Sequence, residues 1–439
     1  ARAKKEAALT PEERLQAALV PDWEWPYKLP ENWCWLKLVE SFDNHTDSKK
    51  KIKQKDYLVK GKLAVVDQGQ ELIGGYTNDV EKSYSGALPI VIFGDHTRCI
   101  KFVDFPFAQG ADGVKVLRPK PFYLPKAFYY ALQSVNIPNL GYRRHFPLFN
   151  KFSIPLPPFT EQQRIVDRIE SLFTKLDEAK EKAQAVMDSF ETRKAAILHK
   201  AFTGELTAKW RRTHGLSLDT WKEVAADSLF EYVTSGSRGW AKYYDESGAV
   251  FIRMGNLDHG TIELDFSDIQ HVKLPNKAEG QRSRIRKNDI LISITADVGM
   301  VGLVRNDDFE GYINQHIALA RPVMSESAEF IAWYLVSDIG LKQMQEKQRG
   351  ATKVGLSLND IRALQLKIPL IEEQNEILKV IKMWIGKEQQ SQEAAEAVLD
   401  QIDLMKKSIL ARAFRGELGT NDPSEESAVE LLKRGLEKK

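Results

Sequence analysis

Two kinds of hydrophobic pattern alternate along this chain. From Glu161 to Leu206, apolar residues recur at steps of four and three: Ile165, Ile169, Leu172, Leu176, Ala179, Ala183, Val186 and Phe190, then Ile197 and Ala201 after Arg193 fills one slot. From Glu373 to Leu418 the same spacing runs through Ile377, Ile381, Trp384, Ala395, Val398, Ile402, Met405 and Ile409, with polar Glu388 and Ser391 interrupting it. A sustained 3.5-residue period is the seam of a coiled coil rather than the broader face of a surface helix. Gly204 and Gly416 stand where each helix is expected to stop.

The second pattern precedes each helix. Short apolar runs bounded by turn residues predict strands at Leu63–Val66, Pro89–Phe93, Phe102–Phe105 and Val114–Leu117 in one region. Val250–Ile252, Ile290–Ile294, Val301–Val304 and Ile317–Ala320 are their counterparts in the other. Both regions open on tryptophan (Trp33 and Trp35; Trp221), pass through Arg118-Pro119 or Arg321-Pro322, and reach a short aromatic helix at Ala127–Leu132 or Phe330–Val336. The order of elements is shared, whereas loop lengths are not: Trp33 lies 128 positions before Glu161, and Trp221 lies 152 before Glu373.

The helices are an internal repeat. A shift of 212 positions superimposes Glu161–Leu206 on Glu373–Leu418 without a gap, with about 18 of 46 positions identical. Both copies open on Glu-Gln after Ile-Pro-Leu and close on Ile-Leu-x-x-Ala-Phe-x-Gly-Glu-Leu. A domain-sized stretch between the copies gives the chain reach for antiparallel pairing. The expected fold is therefore α+β: two pseudo-repeated, strand-rich domains separated by two long helices that form an antiparallel coiled coil. Its expected divisions are an N-terminal helical extension (1–28), a first variable domain (29–158), a first long helix (159–207), a linker (208–215), a second variable domain (216–371), a second long helix (372–418) and a tail (419–439). About 41 helical residues make a rod of about 60 Å, the length of roughly 18 base pairs of B-DNA.

Composition narrows the class. Among 439 residues, 63 Lys+Arg against 61 Asp+Glu give a net charge of +2, and 43% are hydrophobic, which excludes a disordered chain and a polycation. No apolar run approaches the ~20 residues of a membrane span. With two cysteines, Cys34 and Cys99, and no apolar core in the N-terminal stretch, the chain reads as cytoplasmic. It carries neither a phosphate-binding Gly-x-x-x-x-Gly-Lys loop nor an Asn/Asp-Pro-Pro-aromatic methyltransferase motif, since Leu156-Pro157-Pro158-Phe159 lacks the acid or amide. Eight scattered histidines have no metal-ligand spacing. Asp95-His96-Thr97 has no companion site and reads as a recognition or structural turn, not a catalytic one.

Taken with the paired Pro-Leu and Glu-Gln helix openings and the Ala-Phe-x-Gly-Glu-Leu closings, several stretches are similar to the specificity subunits of type I restriction-modification systems. They are Val65–Asp79 and Ile90–Arg98 in the first variable domain, and Gly255–Leu257, Asn288–Gly302 and Ile313–Pro322 in the second. The resemblance implies a subunit without catalytic activity of its own and without a cofactor in this chain. S-adenosylmethionine, ATP and Mg are then expected on partner subunits, two methyltransferase subunits and the restriction subunits. It also implies that the variable domains are target-recognition domains, each reading one half of a bipartite site in double-stranded DNA, while the helices set the spacer and dock the methyltransferases. A methylation-only system and a purely protein-binding coiled-coil scaffold are the alternatives.

Base reading needs Arg or Lys towards guanine and Asn or Gln towards adenine. Such residues gather in predicted loops: Gln68, Gln70, Tyr76, His96, Thr97, Arg98, Arg143 and Arg144 in the first domain, and Arg238, Arg253, Asn256, Thr295, Asn314, Gln315, Arg349, Thr352 and Lys353 in the second. Each has an ordinary alternative as a solvated loop or turn residue; Asn256, beside Gly255, suits a turn. The lysine-rich stretches 49–62 and 273–287 are candidates for phosphate contact.

Overall fold

The computed structural model describes residues 10–236, 238–274, 280–306, 308–348 and 355–437, without the side chain of Gln281. Thr10 and Glu13 form the capping box that starts α1 (Pro11–Ala18). The first variable domain follows, with β1 (Cys34–Lys37), β2 (Phe42–Asn44), β3 (Leu63–Val66), β4 (Gly75–Thr77), β5 (Ile90–Gly94), β6 (Ile100–Val103), β7 (Phe107–Gln109), β8 (Val114–Pro119), α2 (Pro125–Ser134) and β9 (Ser153–Leu156). The β-branched and aromatic runs made these strands; β5, central in its sheet, is buried at every residue. Strands β2-β8-β5-β6 form an antiparallel sheet and β4-β3-β7 a second one in which β3 and β7 run parallel, while β1 pairs with β9.

Helices α3 (Phe159–Asp188), α4 (Phe190–Phe202) and α5 (Ala208–Thr213) come next. The second variable domain contains β10 (Lys222–Ala225), β11 (Phe230–Ser235), β12 (Tyr244–Asp245), β13 (Ala249–Ile252), β14 (Gln270–Val272), β15 (Ile290–Ser293), β16 (Val301–Leu303), β17 (Gly311–Ile313) and β18 (Ile317–Pro322). Helices α6 (Ala328–Val336), α7 (Asp338–Glu346) and α8 (Leu358–Arg362) and strand β19 (Gln365–Ile368) complete it, before α9 (Ile371–Ala413) and α10 (Ala428–Glu437). Its pairing repeats that of the first domain. Strand β10 pairs with β19, β11-β18-β15-β16 form one sheet, and β12-β14-β13-β17 form another in which β13 and β17 are parallel.

The chain divides into two compact units, residues 1–182 with 398–439, and residues 183–397. Neither is a contiguous copy of the repeat, because each takes a helical segment from both. In the first unit, Arg164 of α3 pairs with Glu425 at 2.8 Å and Asp177 with Lys406 at 2.5 Å, so rising positions on one helix meet falling positions beyond. Ile165 and Ile169 are fully buried with Ala413 and Phe414, and the same core takes in Leu15 and Ala18 of α1 and Leu432 and Leu436 of α10. In the second unit, Arg193 meets Glu388 at 2.6 Å and Thr207 meets Glu373 at 2.7 Å, again antiparallel. Here Leu198 and Phe202 share a core with Ile377 and Ile381.

The helices depart from the anticipated seam in two respects. The first helix breaks at Ser189, whose hydroxyl bonds back to the Ala185 carbonyl and receives Arg193. Arg193 and Glu388, the polar interruptions of the two seams, are each other's partners, an arrangement that pins register. The second helix keeps the period but changes phase. Trp384, Val398 and Met405 are 42%, 41% and 45% exposed, and the inward positions are Ile385, Ala395 and Ile402. A four-residue step from Ile381 to Ile385 replaces the expected three. Trp384 turns outward under the Lys387 ammonium, 5.0 Å from its ring. Phe190 is buried, and Leu172, Leu176, Val186 and Ile409 are half-buried.

Candidate nucleic-acid interface

The repeated Glu-Gln at each helix start anchors a variable domain to its helix. Glu161 has no exposed surface, and its carboxylate accepts from Trp33 Nε1 at 2.7 Å, Asn421 Nδ2 at 2.9 Å and Thr420 Oγ1 at 3.1 Å. Burial pushes this carboxyl above the ordinary carboxylate range, against the pull of those three donors. Glu373 is equally buried and accepts from Trp221 Nε1 at 3.0 Å and Thr207 Oγ1 at 2.7 Å, with the Arg211 guanidinium directly against it. Gln162 and Gln374 tie the same turns to backbone, donating to the carbonyls of Phe122 and Pro157 and of Pro369. Trp33 and Trp221, at the openings of the two domains, are therefore the indole donors to the helix carboxylates.

At one end of the first domain's main sheet, the β5–β6 turn and the loop 139–146 are stapled together. The buried Asp95 carboxylate accepts from Phe146 N at 2.7 Å. Leu140 N donates to His145 Nε2, so the imidazole proton sits on Nδ1 and goes to the Asp95 carbonyl at 2.9 Å. His96 Nδ1 meets the Tyr142 carbonyl, Thr97 Oγ1 donates to the Gln68 carbonyl, and Arg98, at a positive φ of 62°, donates to the Ile137 carbonyl. Asp95, His96 and Thr97 thus turn to three separate partners and form no relay. Gln68 is consumed internally, bonded to the Asp112 carbonyl and to His96 N, which removes it as a base reader. Tyr76 is half-buried on β4. Gln70, Arg143 and Arg144 are exposed with no side-chain hydrogen bond to another described residue, and Tyr142 between them is 96% exposed.

The equivalent end of the second domain brings together Thr295, His316 and Gln315, with the imidazole bonded on both sides. Asn314 is buried, its carboxamide oxygen accepting from His316 N. Asn256 is 4% exposed and fully used, its Nδ2 donating to the carbonyls of Asp265 and Asp268 and its Oδ1 accepting from Arg253 N. Asn256 is therefore a turn-building residue, because a buried amide with its bonds filled has nothing to offer a base, and the oxygen of Asn314 is used in a turn of its own. Arg253 pairs with Asp268 at 2.9 Å, and Arg238 is exposed. Arg349, Thr352 and Lys353 lie outside the described residues, as does part of the stretch 273–287. In the other lysine stretch, Lys50 donates to the Ser83 carbonyl and Lys51 faces Asp112 at 3.5 Å.

Residue reading missed two features. The helix-start carboxylates were visible as Glu-Gln but not as buried anchors. Arg282, Arg284 and Arg286 alternate with buried Ser283 and Ile285, a period-two signal hidden within a stretch read as lysine-rich.

The chain is a duplicated architecture: two domains of one topology with divergent loops, each fastened to the start of a long helix. A family model described as "Type I restriction modification DNA specificity domain" matches it twice, over residues 30–186 and 219–396, and the chain belongs to that family. The EcoBI type I restriction enzyme specificity subunit of Escherichia coli is 27% identical over 282 residues, 60% of this chain and 58% of that protein. The StySPI specificity subunit of Salmonella potsdam is 23% identical over 277 residues, 62% of this chain and again 58% of the relative. The chain thus matches less than two thirds of the length of these relatives. The crystal structure of an HsdS subunit from Thermoanaerobacter tengcongensis shares the fold, with a TM-score of 0.57 at 19% identity over 90% of this chain and all of that one. A second solved chain, from a structure of a type I R-M system, gives 0.58 at 18% over the same shares. No helix among the described residues is long and apolar enough to cross a membrane.

Proposed function

We infer that this chain is the DNA-specificity subunit of a type I restriction-modification complex. Each variable domain reads one half of a bipartite duplex site, the antiparallel helices set the unread spacer, and the chemistry belongs to methyltransferase and restriction subunits that assemble on it. The observation that carries this reading is the matched pair of domains with one strand pairing and unrelated loops, each fastened by a tryptophan to a repeated helix carboxylate. A frame held constant under two diverged surfaces suits the reading of two different sequences. S-adenosylmethionine, ATP and Mg belong to the partners in this reading.

The test is methylation mapping. The chain combined with its methyltransferase subunits and S-adenosylmethionine should modify DNA at a two-part motif with a fixed gap, and the chain alone should modify nothing. Methylation by the chain alone, or an assembled complex without sequence preference, refutes it. Removing one or two heptads from both helices should shorten the gap.

A further inference from the structure

In the second variable domain, residues 281–283 make a 3-10 turn and residues 284–286 run extended against β17: Arg284 bridges Tyr312, and Ile285 N donates to the Gly311 carbonyl at 3.0 Å. Ser283 is fully buried and Ile285 is 4% exposed, so Arg282, Arg284 and Arg286 all face outward from one edge. They line a cleft of about 700 Å³ with Arg321, Tyr232 and Phe309, and Glu231 is the one acid on its wall. Arg321 is spent, held in a fork against the buried Asp289 at 2.7 Å on both arms. No side-chain hydrogen bond or ion pair joins the other three guanidinium groups to a described residue.

The first domain builds this segment without the row of arginines. There Ser83 bridges Ala108 and Tyr84 N donates to the Phe107 carbonyl at 2.8 Å, on β7, the counterpart of β17. Arg282, Arg284 and Arg286 thus correspond to Glu81, Ser83 and Ser85.

Resting on the DNA-recognition reading, we propose that Arg282, Arg284 and Arg286 are a phosphate clamp that only the second variable domain carries, gripping one strand of the duplex backbone without reading its sequence. Arg284 and Arg286, alternate residues of extended backbone, are about 6.6 Å apart along the chain, close to two 3.4 Å steps of one DNA strand, and Arg282 joins them from the turn before. A line of separate, outward guanidinium groups fits a polyanion; a single small phosphate would need them to converge. With 61 acids against 63 basic residues, cations that no acid offsets are few, and the pairing of Arg284 and Ile285 with β17 holds this row in place.

The experiment uses the complex with its methyltransferase subunits, on a duplex carrying the mapped site and on a scrambled duplex, between 50 and 200 mM salt. The Arg282→Gln, Arg284→Gln, Arg286→Gln triple variant should flatten the log Kd against log salt slope by about 2.7, a loss of about 40-fold in salt sensitivity over that range, for both duplexes alike. The triple Arg-to-Lys variant should keep the wild-type slope, and Glu81→Gln with Ser83→Gln and Ser85→Gln should leave it unaltered. A glutamine variant that melts like wild type yet keeps the wild-type slope overturns the clamp, as does weakening confined to the mapped duplex. Wild-type complex that treats the two duplexes alike sinks the recognition reading itself.

Discussion

Glu161 and Glu373 occupy matching places in the repeat, yet the same substitution should affect them differently. Each accepts an indole and a threonine hydroxyl, but Glu373 also neutralises Arg211, whose side chain is 8% exposed, whereas Asn421 takes that place beside Glu161. Glu373→Gln preserves shape and leaves a buried guanidinium without a counter-charge, a loss of about 3–5 kcal/mol. Glu161→Gln exchanges a buried carboxylate, already disfavoured in its ionised form, for an amide that still accepts from Trp33 while Thr420 turns its hydroxyl to accept; the net change is about 1 kcal/mol or less. Amide hydrogen exchange on the full chain reads each anchor locally. Glu373→Gln should speed exchange at β10, β19 and the first turns of α9 by about a hundredfold or more, and leave β1, β9 and the start of α3 unaltered. Adding Arg211→Met should restore most of the protection, since an apolar replacement for a buried pair is often neutral. Equal losses at the two anchors, or a double variant no better than Glu373→Gln, would refute this account.

Four further outcomes follow from the same geometry. Because burial raises the Glu161 carboxyl, its contribution to the first unit is full at acid pH and is lost as pH rises through and just above the ordinary carboxylate range; exchange at β1 and β9 should show that loss in wild type and not in Glu161→Gln. Leu432→Ala, in the fully buried seat of α10, should cost about 2–5 kcal/mol and loosen the first unit, measured by exchange at α1 and β1. Asn256→Ala should lower the melting temperature through about 1–3 kcal/mol of unsatisfied backbone without changing which bases the methylation map shows. Arg193→Glu should weaken the helix pair, and adding Glu388→Arg should recover a coupling of about 0.5–1 kcal/mol in a double-mutant cycle.

How much of this was legible from residues depends on the range of the interaction. Short apolar runs bounded by turn residues placed β3, β5, β8, β15 and β18, because a buried strand imposes its apolar run locally. The 3.5-residue period located both helices, but phase is set by what packs on the other side, so Trp384 and Ile385 traded places and Ser189 broke a helix that the pattern drew as continuous. Base-reading candidates were least legible. Gln68 and Asn256 have the right amides for adenine, yet their neighbours, distant in sequence or hidden in a turn, had already claimed those amides.

The membership of the two compact units was not legible along the repeat, and this has a physical cause. The 212-residue offset suggested two consecutive units, but Glu161 of the first copy takes Thr420 and Asn421 from beyond the second, and Glu373 of the second takes Thr207 and Arg211 from beyond the first. A buried carboxylate needs donors, and antiparallel pairing puts at each helix start the end of the other copy. Each compact unit is consequently completed by a segment of the opposite repeat, an interlock that no comparison of the chain with itself along one diagonal could reveal. It also explains why the variable domains could diverge while the helices did not: a change at exposed Arg282, Arg284, Arg286, Arg143 or Arg144 touches only its own surface, whereas losing the charge at Glu373 strands Arg211 and loosens a domain and a helix together.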